Sequence, residues 1–136
     1  MNPVLKNILA VIAGIVAGSV VNMGIIQISG HVIPPPEGLI PGDMESLKEH
    51  MPNFGAEQFI MPFLAHALGT LVGAWLTAMI AASHQMKLAL GIGAWFLLGG
   101  IAVSFMLPAP VWFSAMDIVL AYLPMGFLGW KLAGGK

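Results

Sequence analysis

An aspartate interrupts one of the most apolar stretches of the chain. Asp117 lies in VWFSAMDIVLAYLP, which runs from residue 111 to residue 124 and carries no other charged side chain. An ionised carboxylate at the centre of a bilayer costs at least about 2.5–3.5 kcal/mol on insertion scales. Asp117 is therefore expected to be neutral, paired with a cation or hydrated. Acids in such positions commonly mark proton or ion pathways, so this residue is the first candidate for chemistry.

Polar side chains on other apolar segments fall at the depth of Asp117. Asp117 lies six residues into its segment, roughly 9 Å at the helical rise. His66 lies seven residues into a second segment and Asn22 seven residues before the end of a third, each roughly 10 Å in on that rise. Ser104 and Ser114 lie at a matching depth and complete the predicted set. A protonated His66 is the obvious ionic partner of Asp117, and Asn22 is placed to donate a hydrogen bond to either.

This polar cluster of Asn22, His66, Ser104, Ser114 and Asp117 has two interpretations. As a structural network it would lock helices together, with about 0.6 kcal/mol per interhelical hydrogen bond on average. As a functional network it would exchange a proton or guide an ion. A purely structural role needs only a neutral amide or hydroxyl, whereas Asp117 is ionisable. The sequence leaves both interpretations open.

Other kinds of chemistry have little support in the sequence. The chain contains no cysteine, so thiol catalysis and thiolate metal sites are excluded. His66 has no second histidine at its depth to complete a haem or metal site. No nucleophile–base arrangement or metal motif is present. We predict no metal, no cofactor and no enzymatic activity.

Composition indicates that the solvent of this chain is lipid. Its 136 residues are 58% hydrophobic and only 8% charged, with a mean hydropathy of +0.90. Soluble domains carry about a quarter charged residues, and a chain this short cannot bury so much apolar surface in water. The net charge is −1 and no basic run is present, so nucleic acid is not an expected partner.

Four segments are long and apolar enough to cross a bilayer as helices, which takes about 20 residues each. They cover residues 8–29, 59–82, 88–107 and 111–130. Connections of a few residues join the second to the third and the third to the fourth, which predicts antiparallel neighbours. The sequence predicts a single all-α transmembrane domain spanning residues 1–136, with a longer loop at residues 30–58.

Charge placement predicts the orientation. Four of the five lysines fall on one side of the predicted membrane, and the positive-inside rule assigns that side, with both termini, to the cytoplasm. These lysines are Lys6, Lys87, Lys131 and Lys136. The long loop on the outer side is acidic and carries Glu37, Asp43, Glu45, Glu49 and Glu57.

The outer loop contains one predicted helix. Asp43 is expected to cap it, and it should run through His50 and stop near Pro52. The simpler interpretation of the loop is an ordered connector. The alternative is a lid over the helix bundle.

Small residues spaced four apart predict where the helices pack. Gly14 and Gly18 continue such a stripe on the first segment, and Gly69 and Gly73 on the second. In lipid, small residues allow helix backbones to approach closely. The stripes predict packing either within the bundle or between copies of the chain.

A proline in the fourth segment predicts a bend. Pro124 has no backbone N–H to donate to the Leu120 carbonyl, so we expect the helix to kink there. The freed carbonyl would be available to a site or a hinge.

The overall pattern resembles the uncharacterised small four-helix inner-membrane proteins of bacteria. The segments that carry the resemblance are MNPVLKNILAVIAG, HVIPPPEG, PFLAHALGTLVGA and YLPMG. The resemblance implies a four-helix fold in the bacterial inner membrane and brings no activity, cofactor or catalytic residue.

Two functions are compatible with these observations. The first is a helix-packing component of a homo-oligomer or of a larger membrane complex, in contact with lipid and with itself or another membrane protein. The alternative is a small proton-coupled transporter or ion channel that uses Asn22, His66 and Asp117.

Overall fold

The computed structural model describes residues 1–40 and 42–135 and shows only helices and turns within them. Lys136, one of the lysines used to predict the orientation, lies outside the described residues. Two short 3₁₀ turns, Met51–Asn53 and Ala56–Phe59, lie in the first connection. The helices are α1 Pro3–Val32, α2 Met44–His50, α3 Ile60–Ile80, α4 Gln85–Met106, α5 Val111–Leu120 and α6 Leu123–Leu132.

Four stretches of the described chain are long and apolar enough to cross a membrane: Pro3–Val32, Ala56–Ile80, Gln85–Met106 and Val111–Leu132. They identify the chain as a multi-pass membrane protein. The first begins at Pro3 rather than at residue 8, because the Asn2 side chain caps the helix by accepting from Val4 N at 2.7 Å. Proline suits the first helical position, where its missing N–H has no intrahelical partner to lose. Hydropathy alone does not detect such a polar start.

The fourth stretch is interrupted between α5 and α6, at Ala121 and Tyr122. Pro124 lies in the first turn of α6, where it cannot donate to a carbonyl one turn earlier. Helical bonding ends with Ala121 N donating to the Asp117 carbonyl at 2.9 Å and resumes with Gly126 N donating to the Tyr122 carbonyl at 2.8 Å. The bend expected from Pro124 is thus a full break, and it separates Asp117 from the last helix.

Glycines bring α1 and α3 into backbone contact. A Cβ added to Gly73 would lie 2.6 Å from the Gly14 carbonyl oxygen, and one added to Gly69 would lie 2.8 Å from the Gly18 carbonyl oxygen. Both separations are far below normal contact distances, so only glycine fits at these crossings. The two predicted stripes therefore meet each other inside one chain.

Helix α3 also packs against α4 and α6 and forms the centre of the bundle. Glycines outside the predicted stripes allow these contacts. Gly129 of α6 lies on the α3 backbone, where an added Cβ would be 2.8 Å from the Leu71 carbonyl oxygen. Gly93 of α4 lies under the helix break, where an added Cβ would be 2.9 Å from the Tyr122 carbonyl oxygen.

The first connection is ordered and packs on the bundle. Asp43 caps α2, its Oδ1 accepting from Glu45 N at 3.0 Å. Just after α2, the Met51 side chain is buried in an apolar cluster with Phe59 and Phe113, whose ring centroids lie 4.6 Å apart. We call these three residues the Phe59 cluster. It fastens the connection to α3 and α5, an arrangement that favours the connector interpretation.

Candidate functional site: a buried histidine–aspartate pair

His66 and Asp117 meet between α3 and α5. The Nδ1 atom of His66 lies 2.8 Å from Oδ1 and 2.9 Å from Oδ2 of Asp117. The Asp117 side chain is 6% exposed and the His66 side chain 24% exposed. Buried Ala67 and Ala121 are the small neighbours that let these segments come together. The pairing is the one expected from the matching depths of the two residues.

Tyr122 is the third member of the site, and the sequence analysis missed it. Its hydroxyl donates to Asp117 Oδ2 at 3.1 Å. Its ring stacks on the His66 ring, with centroids 5.9 Å apart and planes at 25°. The break before Pro124 is what turns the side chain of Tyr122 toward Asp117. One signal was available: Tyr122 is the only tyrosine in the chain and lies directly before the predicted bend.

The pair can hold and release one proton. With two exchangeable protons it is neutral overall, either as imidazolium with carboxylate or as neutral imidazole with carboxylic acid. When one proton leaves, the pair carries a single negative charge. Tyr122 adds a hydrogen bond that the carboxylate form accepts.

A cavity of about 220 Å³ adjoins the pair and has room for several water molecules. Its walls come from α1, α3, α4 and the α5–α6 break. The lining residues are Gly18, Asn22, His66, Gly69, Thr70, Phe96, Gly99, Gly100, Val103 and Tyr122. Gly100 makes room for the phenol, since an added Cβ would lie 2.6 Å from Tyr122 Cζ.

Asn22 reaches this cavity but does not join the pair. Its Oδ1 atom is buried and has no hydrogen-bond partner among the described residues. The Cβ of Asn22 packs close to Gly69, so α1 contributes one wall of the cavity at this level. Asn22 thus belongs to the surroundings of His66 without the direct hydrogen bond that the sequence suggested.

Ser104 and Ser114 lie outside the site. Ser104 Oγ donates to the Ile101 carbonyl of its own helix at 2.6 Å, and no hydrogen bond within residues 1–40 and 42–135 links Ser114 to the pair. Counting residues gives a depth along the helix, but depth does not fix the direction in which a side chain leaves its helix. The described hydrogen bonds do not bring Ser104 or Ser114 into the pair.

The described part of the chain contains no set of side chains that could bind a metal ion. No three side chains among its His, Asp and Glu residues are grouped closely enough to hold an ion. The site is therefore described by its hydrogen bonds and its adjoining cavity.

Comparisons with known proteins give no relative: no family model, no curated protein and no solved structure matches the chain.

The stability of the pair is testable by a double-mutant cycle. We expect His66→Leu to lower the free energy of unfolding by about 3–5 kcal/mol, because it leaves a buried carboxylate without its partner. The double variant His66→Leu/Asp117→Leu should cost less than this single change, since no charge remains. Reversible unfolding in bicelles measures His66→Leu, Asp117→Leu and the double variant, with Ser104→Leu as the control. Additive effects of the two substitutions would contradict a direct pairing.

Proposed function

We propose that this protein is a small proton-coupled transporter or ion channel in which the His66–Asp117 pair takes up and releases a proton. One observation carries the proposal: an ionisable pair lies between membrane-spanning helices, with Asp117 buried and His66 at the wall of a cavity. Exchange needs both features, a group that changes charge and a space through which the proton or an ion reaches it.

In this proposal, exchange takes place on the cavity side of the pair. On the side of the first connection, Phe63 packs against both the Phe59 cluster and the buried group around Ala67 and Tyr122, so apolar side chains close that approach. On the cavity side, Gly99 and Val103 are exposed and the space reaches the surface of the bundle. Val103 lies three residues before the end of α4, about 4.5 Å at the helical rise.

The same proposal includes an antiparallel bundle. Along the contact between α1 and α3, Asn7 Nδ2 donates to Ser83 Oγ at 3.0 Å at one end, and Gly18 packs on Gly69 further along. From the Asn7 end of the contact toward Gly18, residue numbers increase along α1 and decrease along α3. This order supports opposite directions for the two helices, and the short later connections support the same relation for the remaining ones.

The proposed orientation has both termini in the cytoplasm and the acidic loop outside. Its support is the side on which the lysines fall. The proposed location is a bacterial inner membrane, which rests on the resemblance described above.

Orientation is testable with single cysteines, because the chain has none of its own. Met44 and Met86 offer a matched pair, 40% and 38% exposed and on opposite sides of the proposed membrane. A membrane-impermeant maleimide applied to intact cells should label Met44→Cys at once and Met86→Cys only after permeabilisation. The reverse pattern would contradict the orientation.

Proton movement is testable in proteoliposomes with an imposed pH gradient. Sodium or potassium chloride is placed on the side opposite the more acidic solution, and protein-free vesicles give the background. We expect wild-type protein to dissipate the gradient and Asp117→Asn to fall to background, because the amide keeps the shape of the acid but cannot exchange a proton. Ser114→Ala, one turn away on the same helix, should keep the wild-type rate. Equal flux through wild type and Asp117→Asn would contradict the proposal.

A second candidate is a packing component of an oligomer or larger complex. Its support is that Gly91 and Gly99 of α4 have open space beside them within the described chain, unlike Gly14, Gly18, Gly69 and Gly73 at the contact between α1 and α3. Absence of flux through wild-type protein, together with one defined oligomeric mass for the purified chain, would favour this function over transport.

A further inference from the structure

We infer that the cavity beside His66 binds the ring of a lipid-soluble quinone, with a carbonyl oxygen of the ring accepting a hydrogen bond from His66 Nε2. The inference rests on the proposed proton exchange, because the pair must hold both of its protons for Nε2 to donate. It adds the chemical class of the molecule that binds together with the proton. Three features carry it: an opening toward lipid, walls that fit one ring, and free nitrogen atoms.

The cavity opens toward the lipid side of the bundle. Gly99 and Val103 line it and are exposed on α4, a helix long and apolar enough to span a membrane. A molecule that enters at this side of α4 therefore comes from the bilayer. Val103 lies within one turn of the end of α4. This is the depth at which rings that are apolar with a polar edge collect in a membrane.

The walls of the cavity fit a single flat ring. The volume is about 220 Å³, and a cavity of about 150 Å³ holds benzene, so one ring with small substituents fits. Two aromatic rings line the space, and each lies on a glycine. An added Cβ at Gly18 would be 2.8 Å from Phe96 Cε2, and one at Gly100 would be 2.6 Å from Tyr122 Cζ. Aromatic walls of this kind favour stacking with a planar ring.

The polar side-chain atoms left free at the cavity are nitrogens. Thr70 Oγ1 and Asn22 Oδ1 are enclosed by their neighbours, and the Tyr122 hydroxyl donates to Asp117, which does not line the space. Two atoms of the lining residues remain, His66 Nε2 and Asn22 Nδ2. Neither is enclosed, and neither has a hydrogen-bond partner among residues 1–40 and 42–135. An alkyl chain or an apolar helix face would leave both unpaired, whereas carbonyl oxygens accept from them.

The protonation state of the pair decides whether Nε2 donates. With both protons bound, the pair is either imidazolium with carboxylate or neutral imidazole with carboxylic acid. In both forms Nε2 carries a hydrogen, because Nδ1 is the nitrogen that faces Asp117. After one proton leaves, Nδ1–H donates to the carboxylate and Nε2 becomes an acceptor. A carbonyl oxygen then loses its donor, so the quinone and the exchanged proton bind together.

Few other ionisable groups can disturb this change of Nε2. Tyr122 is in direct contact with the pair. Helices α3 and α5 contribute no titratable side chain except His66 and Asp117 themselves. The titratable residues of the surrounding elements lie toward helix ends or in the turn before α3, and they are Lys6, His31, Glu57, Lys87 and Lys131.

The test is equilibrium binding of radiolabelled tetramethyl-p-benzoquinone to the full-length protein in nanodiscs. Nanodiscs without protein measure how much quinone dissolves in the lipid, and this amount is subtracted. We expect saturable binding that unlabelled quinone displaces. Tetramethylbenzene, which has the same methylated ring without the carbonyl oxygens, should displace it about tenfold less well or worse.

Quinone binding should also depend on pH. Because Nε2 donates only when the pair holds both protons, the apparent affinity should fall about tenfold per pH unit once one of them leaves. Tetramethylphenol is the control, since its hydroxyl either accepts from Nε2 or donates to it. Its binding should not show this loss.

Two glycines of α4 provide a matched pair of variants. Gly91 and Gly99 are both exposed, and an added Cβ meets no atom at either position. Gly99→Leu places a side chain at the opening of the cavity and should weaken quinone binding about tenfold or more. Gly91→Leu lies outside the cavity and should leave binding unchanged. Neither substitution removes a member of the His66–Asp117 pair.

Lack of saturable binding, which is expected if a lipid chain or a second copy of the protein covers the opening, would overturn the inference. Equal displacement by tetramethylbenzene, quinone binding that does not change with pH, or binding unaffected by Gly99→Leu would each overturn it as well.

These outcomes are distinct from failure of the proposed function. If Asp117-dependent proton flux occurs while the quinone does not bind, proton exchange stands and the ligand class falls. If the quinone binds with the same affinity at every pH and Asp117→Asn leaves the proton flux unchanged, proton exchange at the pair is contradicted.

Discussion

The constraint on which this structure depends is the cost of placing a carboxylate among membrane-spanning helices. Asp117 offsets this cost through hydrogen bonds with two neighbours, His66 on α3 and Tyr122 at the break after α5. Both neighbours require particular backbone arrangements. The break in the fourth span, caused by Pro124, turns Tyr122 toward the acid, and small Ala67 lets the helices approach. In the last span, Pro124, the helix break and Tyr122 therefore act together to hold the side chain of Asp117.

Glycine has two opposite uses in the bundle. At Gly14, Gly18, Gly69 and Gly73 the missing side chain allows backbones to touch, which holds α1 on α3. At Gly99 the missing side chain leaves open space at the cavity beside His66, and at Gly100 it makes room for the Tyr122 ring. The contact glycines fix the distance between α1 and α3, and the cavity opens toward α4. The close contact between α1 and α3 thus sets the dimensions of the cavity that opens toward α4.

Much of the fold was predictable because it depends on composition over long windows. Four apolar runs, the helix capped by Asp43 and the bend at Pro124 follow from residue type and local spacing. The His66–Asp117 contact was predicted from matching depth together with the small-residue helix faces that the two side chains share. Depth was not sufficient for Ser104, whose hydroxyl donates to its own helix, for Ser114, which no described hydrogen bond links to the pair, or for Tyr122, whose direction depends on the break.

The account depends most directly on the exchange of a proton at the His66–Asp117 pair. Infrared difference spectroscopy in nanodiscs measures this from the carboxyl and imidazole bands as the pH is changed, with Asp117→Asn identifying the bands of the acid. The account predicts one reversible protonation step that involves both side chains and is lost in the variant. Bands that remain constant over the whole pH range in which the protein stays folded would contradict it and leave the pair a structural link between helices.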